Sequence, residues 1–194
     1  MGKVVLITTI SVDGYVTGPN AGPGNGLGDG GEPLHDWYFA SEPDAYRDGA
    51  FARTGAIVAS RKVYDLVDGW GGSHPVGRPV VVVTHRAPAP EDVPQGTTPF
   101  TFVTTGVPDA VAAACAIAGD EHEVYLMSAA EVGRQALAAS VVDELRIHVA
   151  PLVLGGGTRL FDEADDGLGP IALEPIRVAA SPGAAHLEYR VLGR

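Results

Sequence analysis

The chain has 194 residues, and 24 acidic against 13 basic side chains give it a net charge of −11 at pH 7. That length suits a single domain over residues 1–194, and the acidic balance excludes proteins that bind nucleic acid or an anionic membrane surface through positive charge. One cysteine, 6 scattered histidines and no apolar run of membrane-spanning length exclude a disulfide framework, a metal site and a membrane span, and favour a cytoplasmic protein.

The first predicted element is a buried central strand over residues 3–10, because this run is apolar and rich in β-branched side chains. Asp13 and Gly14 follow it as a turn signal. Residues 20–31 are mostly glycine, which predicts a long loop that is either a lid over a site or a disordered insertion. The aromatic residues 37–39 then either line a pocket or anchor the return of the loop to the core.

A helix is predicted from Ser41 to Arg53, because Ser41 is a suitable N-cap and Asp44 follows three residues later. Residues 56–59 predict a short strand that leads directly into a second helix at residues 60–65. Three more elements follow along the chain, namely strands at 80–83 and 100–103 and a helix over 108–118.

The next strand, at residues 124–127, also runs directly into a helix. Such a junction places the first N–H groups of the helix at the carboxyl edge of the sheet, where a phosphate binds readily. Ser128 and Glu131 have the spacing of a capping box, in which these side chains occupy the same N–H groups. The pattern therefore leaves two interpretations, a self-capped structural helix and a phosphate site.

The C-terminal part is rich in strands. Residues 142–154 predict one long strand with Pro151 at a bulge, and the glycines at 155–157 suit close approach by a ligand or another chain. Residues 172–180 and 184–192 predict a terminal β-hairpin. About eight strands and four helices in this order indicate an α/β fold, with a largely parallel sheet and an antiparallel end.

Six blocks in this order resemble the dihydrofolate reductase-like superfamily, namely SVDGY at 11–15, SRKVY at 60–64, PVVVVTHR at 79–86, FVTTG at 102–106, residues 124–137, and VVDELRIHVAPLVLGGGTRLF at 141–161. They are most similar to stand-alone relatives of the reductase domain of the bifunctional riboflavin-biosynthesis deaminase/reductase. The resemblance covers essentially the whole chain. It implies an eight-stranded mixed sheet with four flanking helices, NADPH bound across the carboxyl ends of the strands, hydride transfer to a C=N or carbonyl of a small heterocycle, and a homodimer.

The same resemblance implies cofactor-binding positions at Ser60, Arg61, Lys62, Thr84, Arg86, Ser128, Ala129, Ala130 and Glu131. Thr84 and Arg86 would lie beside the 2′-phosphate. The substrate side is expected at Tyr15, Trp37, Leu154 and Gly155.

The family that these blocks resemble usually has glycine where this chain has Ser60, Ser128 and Ala129. The resemblance therefore implies that each added Cβ intrudes on the space of a pyrophosphate. The leading hypothesis is an NADPH-dependent reductase of a pteridine-, flavin- or folate-like heterocycle. One alternative is the same fold with weakened or lost NADPH binding, acting as a cofactor-free enzyme or a ligand-binding protein. Another is a purely structural dimer.

A reductase of this class needs a proton donor, commonly a carboxyl group whose pKa is raised by burial. The resemblance places this acid on the helix after the first loop, which here points to Asp44. Asp13 is the second candidate. The competing interpretations are that Asp44 caps its own helix and that Asp13 belongs to an ordinary turn. The predicted homodimer would be built partly on residues 142–154 and the terminal hairpin.

Overall fold

The computed structural model describes residues 2–40, 43–161 and 168–193, so the predicted N-cap Ser41 lies outside the described residues. Its strands are β1 (Val4–Ile10), β2 (Tyr15–Thr17), β3 (Thr54–Ser60), β4 (Val80–Val83), β5 (Phe100–Val103), β6 (Glu123–Leu126), β7 (Glu144–Val149), β8 (Thr158–Arg159), β9 (Leu173–Ser181) and β10 (Ala184–Val191). The α-helices are α1 (Asp36–Phe39), α2 (Ala45–Arg53), α3 (Arg61–Leu66), α4 (Val107–Ala118) and α5 (Arg134–Ala138). Short 3₁₀ helices cover Glu32–His35, Asp68–Gly72 and Pro90–Asp92, and a π-helical turn covers Ala129–Gly133.

Eight of these strands form one mixed sheet in the order β5-β4-β3-β6-β1-β7-β10-β9. The strands from β5 to β7 are parallel to their neighbours, while β10 pairs antiparallel with both β7 and β9. Strands β2 and β8 form a separate antiparallel pair. This architecture confirms the predicted fold, with one more helix than expected because residues 36–39 form the short helix α1.

The two faces of the sheet bury different residues, because neighbouring side chains on a strand point to opposite sides. Val4 and Leu6 of β1 belong to the core beneath α4 and α5. Val5 belongs to the opposite core together with Ile57 of β3 and Tyr125 of β6. The candidate site lies on the face of Val5.

The prediction of one long strand over residues 142–154 is wrong for its second half. Strand β7 ends at Val149, and the N–H of Ala150 makes the last bond to β1, donating to the carbonyl of Ile10 at 2.8 Å. Pro151 has no N–H to continue the ladder, and the chain turns there, since the N–H of Leu152 donates back to the carbonyl of Ala150 at 2.8 Å. Pro151 therefore ends the sheet pairing and is not a bulge within it.

A buried ion-pair network ties β6 to β7 across the central strand β1. The guanidinium of Arg146 binds both carboxylate oxygens of Glu123 at 2.7 and 2.9 Å, and it binds Glu144 at 2.6 Å. It also donates to the hydroxyl of Tyr125 at 2.9 Å. This network fixes the position of the Tyr125 ring, which forms part of the floor of the candidate site. In the parts of the chain that the structure describes, no helix is long and apolar enough to cross a membrane.

Candidate active site

A cleft of about 440 Å³ opens on the sheet face of Val5 and extends to the carboxyl ends of β1, β3, β6 and β7. The strands contribute its floor, with Ile7, Thr9, Ile57, Tyr125 and His148 among the lining residues. The walls are aromatic, and their rings come from Trp37, Tyr38, Phe39, Phe51 and Trp70. A cleft of this size with flat apolar walls suits a planar ring.

The glycine-rich loop over residues 20–31 covers part of this cleft, where Ala21, Gly26 and Leu27 are lining residues. The carboxylate of Asp29 organises the loop, because it accepts hydrogen bonds from the side-chain amides of Asn20 at 2.7 Å and Asn25 at 2.9 Å. Of the two interpretations of this segment, the structure supports the covering loop and not the disordered insertion.

Six of the nine predicted cofactor positions line the cleft, namely Ser60, Lys62, Ser128, Ala129, Ala130 and Glu131. They gather there because β6 pairs with β3, so that the junctions after both strands meet at one edge. Lys62 and Glu131 face each other across this edge, with Nζ and Oε1 3.3 Å apart and both side chains about half exposed. The positive charge of the Lys62 ammonium group at the cleft is therefore partly neutralised by the carboxylate of Glu131.

The predicted capping box at Ser128 and Glu131 is wrong. The Ser128 hydroxyl accepts a hydrogen bond at 2.7 Å from the backbone N–H of Ser60 and makes no cap to its own helix. The helix instead begins with the π-helical turn, in which the N–H of Gly133 donates to the carbonyl of Ser128 at 3.0 Å. The hydroxyl of Ser128 thus accepts from the N–H of Ser60 at the end of the neighbouring strand β3, and not from an N–H of its own helix.

Ser60 has a second role as the N-cap of α3. Its hydroxyl accepts from the backbone N–H of Val63 at 3.2 Å. The Ser60 hydroxyl and the Ser128 hydroxyl are therefore both engaged as acceptors, but each retains one proton that can be donated to a ligand oxygen.

The remaining predicted cofactor residues lie on the other side of α3. Arg61 and Arg86 line a second cavity of about 500 Å³. The Arg61 guanidinium bonds the Asp65 carboxylate at 2.7 Å and the carbonyl of Arg86 at 3.1 Å. Thr84 is buried and its hydroxyl is bonded to the backbone of Arg86, so it shapes the turn that carries Arg86.

Neither predicted proton donor is among the residues that line the cleft. Asp44 is the N-cap of α2 and accepts from the N–H groups of Tyr46 at 2.8 Å and Arg47 at 3.0 Å. Burial opposes ionisation of Asp44, but these hydrogen bonds outweigh it, so that its pKa is lowered. The structure thus agrees with the capping interpretation of Asp44, and its pKa is shifted in the direction opposite to that of a carboxyl group that donates a proton near neutral pH.

Asp13 is likewise ionised. The hydroxyl of Ser11 and the backbone N–H groups of Leu154 and Gly155 lower its pKa to about 2. Asp13 accepts from those two N–H groups at 3.1 and 2.7 Å, so it fixes the turn that follows β7. Of the four positions predicted for the substrate, Trp37 lines the cleft, whereas Tyr15, Leu154 and Gly155 lie outside its lining. The Tyr15 ring instead packs beneath the guanidinium of Arg159.

The polar residues on the cleft floor, Thr9, Tyr125 and His148, were missed from the sequence. The indole N–H of Trp37 donates to the hydroxyl of Thr9 at 3.1 Å, which holds this ring over the floor. A signal was present at His148, because Glu144, Arg146 and His148 place polar side chains on one face of a strand at a spacing of two. Among the described residues no group of side chains has the composition of a metal site.

A family model for the RibD C-terminal domain matches residues 2–179 of the chain. Among solved structures, a provisionally assigned riboflavin biosynthesis protein from Shewanella sp. PV-4 aligns with a TM-score of 0.74 at 21% identity, over 98% of this chain and 99% of that chain. A pyrimidine reductase-like protein from Corynebacterium diphtheriae aligns with a TM-score of 0.60 at 13% identity, over 100% and 93% of the two chains.

The chain also aligns with RibD from Acinetobacter baumannii, with a TM-score of 0.64 at 16% identity. All of this chain is covered, but only 59% of that longer protein. No curated protein matches the chain. At these identities the solved structures show a shared fold.

Proposed function

The chain belongs to the RibD C-terminal domain family, and we propose that it is an NADPH-dependent reductase of a small pteridine-, flavin- or folate-like heterocycle. The observation that carries this proposal is the aromatic cleft at the carboxyl ends of the parallel strands, with Ser60, Lys62 and Ser128 at its rim. Ligands of open α/β sheets bind at such edges. Two of the structural relatives, a riboflavin biosynthesis protein and a pyrimidine reductase-like protein, support the same class of chemistry.

The donor groups on both sides of α3 fit the phosphates of NADPH. The cleft offers two hydroxyls and the Lys62 ammonium, and the second cavity offers the guanidinium groups of Arg61 and Arg86. Arginine recognises phosphate oxygens well because its planar fork can donate two parallel hydrogen bonds. When bound, NADPH would supply a hydride, and the aromatic walls of the cleft would hold the accepting ring.

One observation favours a second candidate function, which is a ligand-binding protein or cofactor-free enzyme with weakened NADPH binding. Ser60 and Ser128 are hydrogen-bonded to each other at the point where the family has glycines. The carboxylate of Glu131 also lies 3.3 Å from Lys62 and places negative charge beside the proposed phosphate position. Both features reduce the attraction of this edge for a dianionic pyrophosphate.

A fluorescence titration of the purified protein with NADPH and with NADH separates the two candidates. The reductase proposal expects saturable binding, with NADPH preferred because only it carries the 2′-phosphate. Arg86→Ala should weaken NADPH binding by about tenfold, corresponding to roughly 1.4 kcal/mol, and should leave NADH binding nearly unchanged. Arg190→Ala is the matched control, since Arg190 lies on β10 and pairs with Glu174 outside both cavities. No saturable binding of either nucleotide would support the second candidate.

We also propose that the chain forms a homodimer through the C-terminal hairpin. The other segment expected at this interface, residues 142–154, supplies β7, which lies inside the sheet between β1 and β10 and offers no free edge. Strand β9 is at the edge of the sheet, and Leu173, Ile176 and Val178 on it are exposed, with Val178 at 73%. An exposed edge strand with apolar side chains is a ready surface for a second copy. Light scattering at micromolar concentration should give twice the chain mass of 20.0 kDa, and a monomer mass would contradict the dimer.

A further inference from the structure

Two histidines face each other in the sheet beside the cleft. His148 of β7 and His186 of β10 are direct cross-strand partners, and their Nδ1 atoms lie 2.9 Å apart. Both side chains are fully buried, at 1% and 0% exposure. Two imidazolium N–H groups cannot face each other at this distance, so one ring donates and the other accepts. Which ring donates decides what the other nitrogen of His148 offers to the cleft.

The groups beyond His186 decide this question. The Nε2 of His186 lies 2.8 Å from the hydroxyl of Ser181, and that hydroxyl also bonds the carboxylate of Asp44. Burial opposes ionisation of Asp44, but its hydrogen bonds to Arg47, Ser181 and Tyr46 keep its pKa below the usual value, so the carboxylate only accepts. Ser181 must then donate its one proton to Asp44 and accept at Oγ from the Nε2–H of His186.

The tautomer of His186 determines the tautomer of His148. Burial lowers the pKa of His186 below the ordinary 6.5, so near neutral pH this ring is neutral and carries a single proton, at Nε2. Its Nδ1 is therefore the acceptor, and the Nδ1–H of His148 is the donor. The Nε2 of His148 is left as an unprotonated acceptor. Burial and the neighbouring charges keep the pKa of His148 low, at about 3, so the ring stays neutral.

His148 is a lining residue of the cleft and His186 is not, so of the two rings only that of His148 lies within reach of a ligand in the cleft. The Nε2 of His148 is buried and has no hydrogen-bond partner among the described residues. A buried polar atom without a partner is costly, and a ligand that donates to it removes that cost. The ring centroids of Trp37 and His148 lie 4.4 Å apart, and those of Tyr46 and His186 lie 4.0 Å apart in a stacked arrangement. These contacts fix the orientations of the two histidine rings.

We propose that His148 recognises the substrate by accepting a hydrogen bond at Nε2, and that His186, Ser181 and Asp44 are positioning residues that fix its tautomer. The proposal deepens the proposed function, because it narrows the substrate to a planar heterocycle that presents a ring N–H at its buried edge. A ring with only acceptors on that edge would leave two lone pairs facing each other and is excluded. Asp44 thereby acts on the cleft through a relay and not as a proton donor in it.

The first test measures the tautomers in the protein without any ligand, by long-range ¹⁵N NMR of the histidine rings. We expect His148 as the Nδ1–H tautomer and His186 as the Nε2–H tautomer. In Ser181→Ala this preference should be lost at both rings, since the relay to Asp44 is cut while the cap of α2 is kept. Thr101→Ala is the control, because Thr101 is exposed on β5 at the far edge of the sheet. Finding Nε2–H on His148 in the wild type would overturn the proposal.

The second test measures recognition with two pteridine probes, lumazine, which carries ring N–H groups, and 1,3-dimethyllumazine, in which both are methylated. Quenching of tryptophan fluorescence reports binding, since Trp37 and Trp70 line the cleft. We expect lumazine to bind the wild type about tenfold more tightly than the dimethyl compound, the value of one hydrogen bond to a buried acceptor. In His148→Phe that preference should disappear.

Equal binding of the two probes by the wild type, or no binding of either, would overturn the role of His148. Neither test contains NADPH, so their outcome is independent of whether the chain binds that cofactor. A correct tautomer and a selective lumazine site, together with a failed NADPH titration, would leave the inference standing and would reject the reductase proposal alone.

Discussion

The backbone N–H of Ser60 donates to the hydroxyl of Ser128 at 2.7 Å, which joins two residues 68 positions apart at the ends of β3 and β6. Both side chains are buried, at 5% and 6% exposure. Their hydrogen bond closes the edge where the family resemblance implies glycines, and it leaves the first turn after Ser128 without a side-chain cap. A phosphate placed at this edge, as the proposed function requires, would have to compete with this tertiary hydrogen bond and with the added Cβ atoms.

The double variant Ser128→Gly, Ala129→Gly should bind NADPH about tenfold more tightly, or roughly 1.4 kcal/mol, because the edge regains room and the Ser60 N–H becomes available to phosphate. The same change should lower the free energy of unfolding by about 1–3 kcal/mol, since a buried N–H loses its partner. Fluorescence titration and urea unfolding measure the two effects.

Ser128→Ala is the matched control for this variant, because it removes the hydroxyl and keeps the Cβ. It frees the Ser60 N–H without adding room, so it should lose stability to a similar extent and gain less NADPH affinity than the double variant. If the double variant binds no better than a parent that binds no NADPH, the reductase proposal is wrong and the cleft serves another ligand.

Glu123→Gln should destabilise the protein by about 3 kcal/mol, because the buried guanidinium of Arg146 would lose one of its two carboxylate partners, Glu123 and Glu144. Burial opposes ionisation of Glu123, but the hydrogen bonds and charge of Arg146 outweigh it and lower the pKa below the ordinary 4.5. The stabilisation is therefore complete above about pH 4.5 and is lost as the pH falls below that value.

Urea unfolding of Glu123→Gln at pH 7 and pH 4 measures both effects, and the variant should depend less on pH than the wild type. Glu91→Gln serves for comparison, since Glu91 is exposed on the 3₁₀ helix Pro90–Asp92, outside the hairpin proposed as the dimer surface. It should change stability by less than about 0.5 kcal/mol. A loss in Glu123→Gln no larger than in this control would show that the buried network contributes little.

Stability should also fall between pH 6.5 and about pH 4 because of His74. Burial lowers the pKa of this imidazole from 6.5 to about 4. Between these values the unfolded chain binds a proton at His74 and the folded chain does not, so acid favours unfolding by up to roughly 3 kcal/mol. His74→Asn, which can still accept from the N–H of Val76, should reduce this pH dependence. The exposed His85→Asn should not, and equal slopes for the two variants would contradict the assignment.

Ser140→Gly should stabilise the protein by about 0.5–1 kcal/mol. Ser140 has a φ of 57°, it follows the end of α5 and it is exposed, so no side-chain contact is lost. Glycine adopts this left-handed conformation without the clash of a Cβ. Ser140→Ala keeps the Cβ and should give no gain, so an equal midpoint of urea unfolding for the two variants would show that strain at this position is small.

Local patterns determined much of the fold. The strands at Val80–Val83 and Phe100–Val103 have the predicted bounds, because each is a short run of β-branched or aromatic residues between turn residues. The hairpin around Pro182 and Gly183 was also predicted, since a turn signal between two strand-like runs leaves few other pairings. The order of six sequence blocks indicated the family that the family model then confirmed.

The partners of individual side chains were decided only by the tertiary structure. Ser128 has the spacing of a cap, yet its hydroxyl bonds Ser60 because β6 lies beside β3. His148 and His186 are 38 positions apart and meet because β10 returns antiparallel beside β7. A hydrogen bond forms with whichever donor or acceptor the fold brings within about 3 Å, and strand order sets that choice. The sequence therefore determined most of the elements and the edge where we propose that a ligand binds, whereas the packing of distant strands determined which atoms lie there.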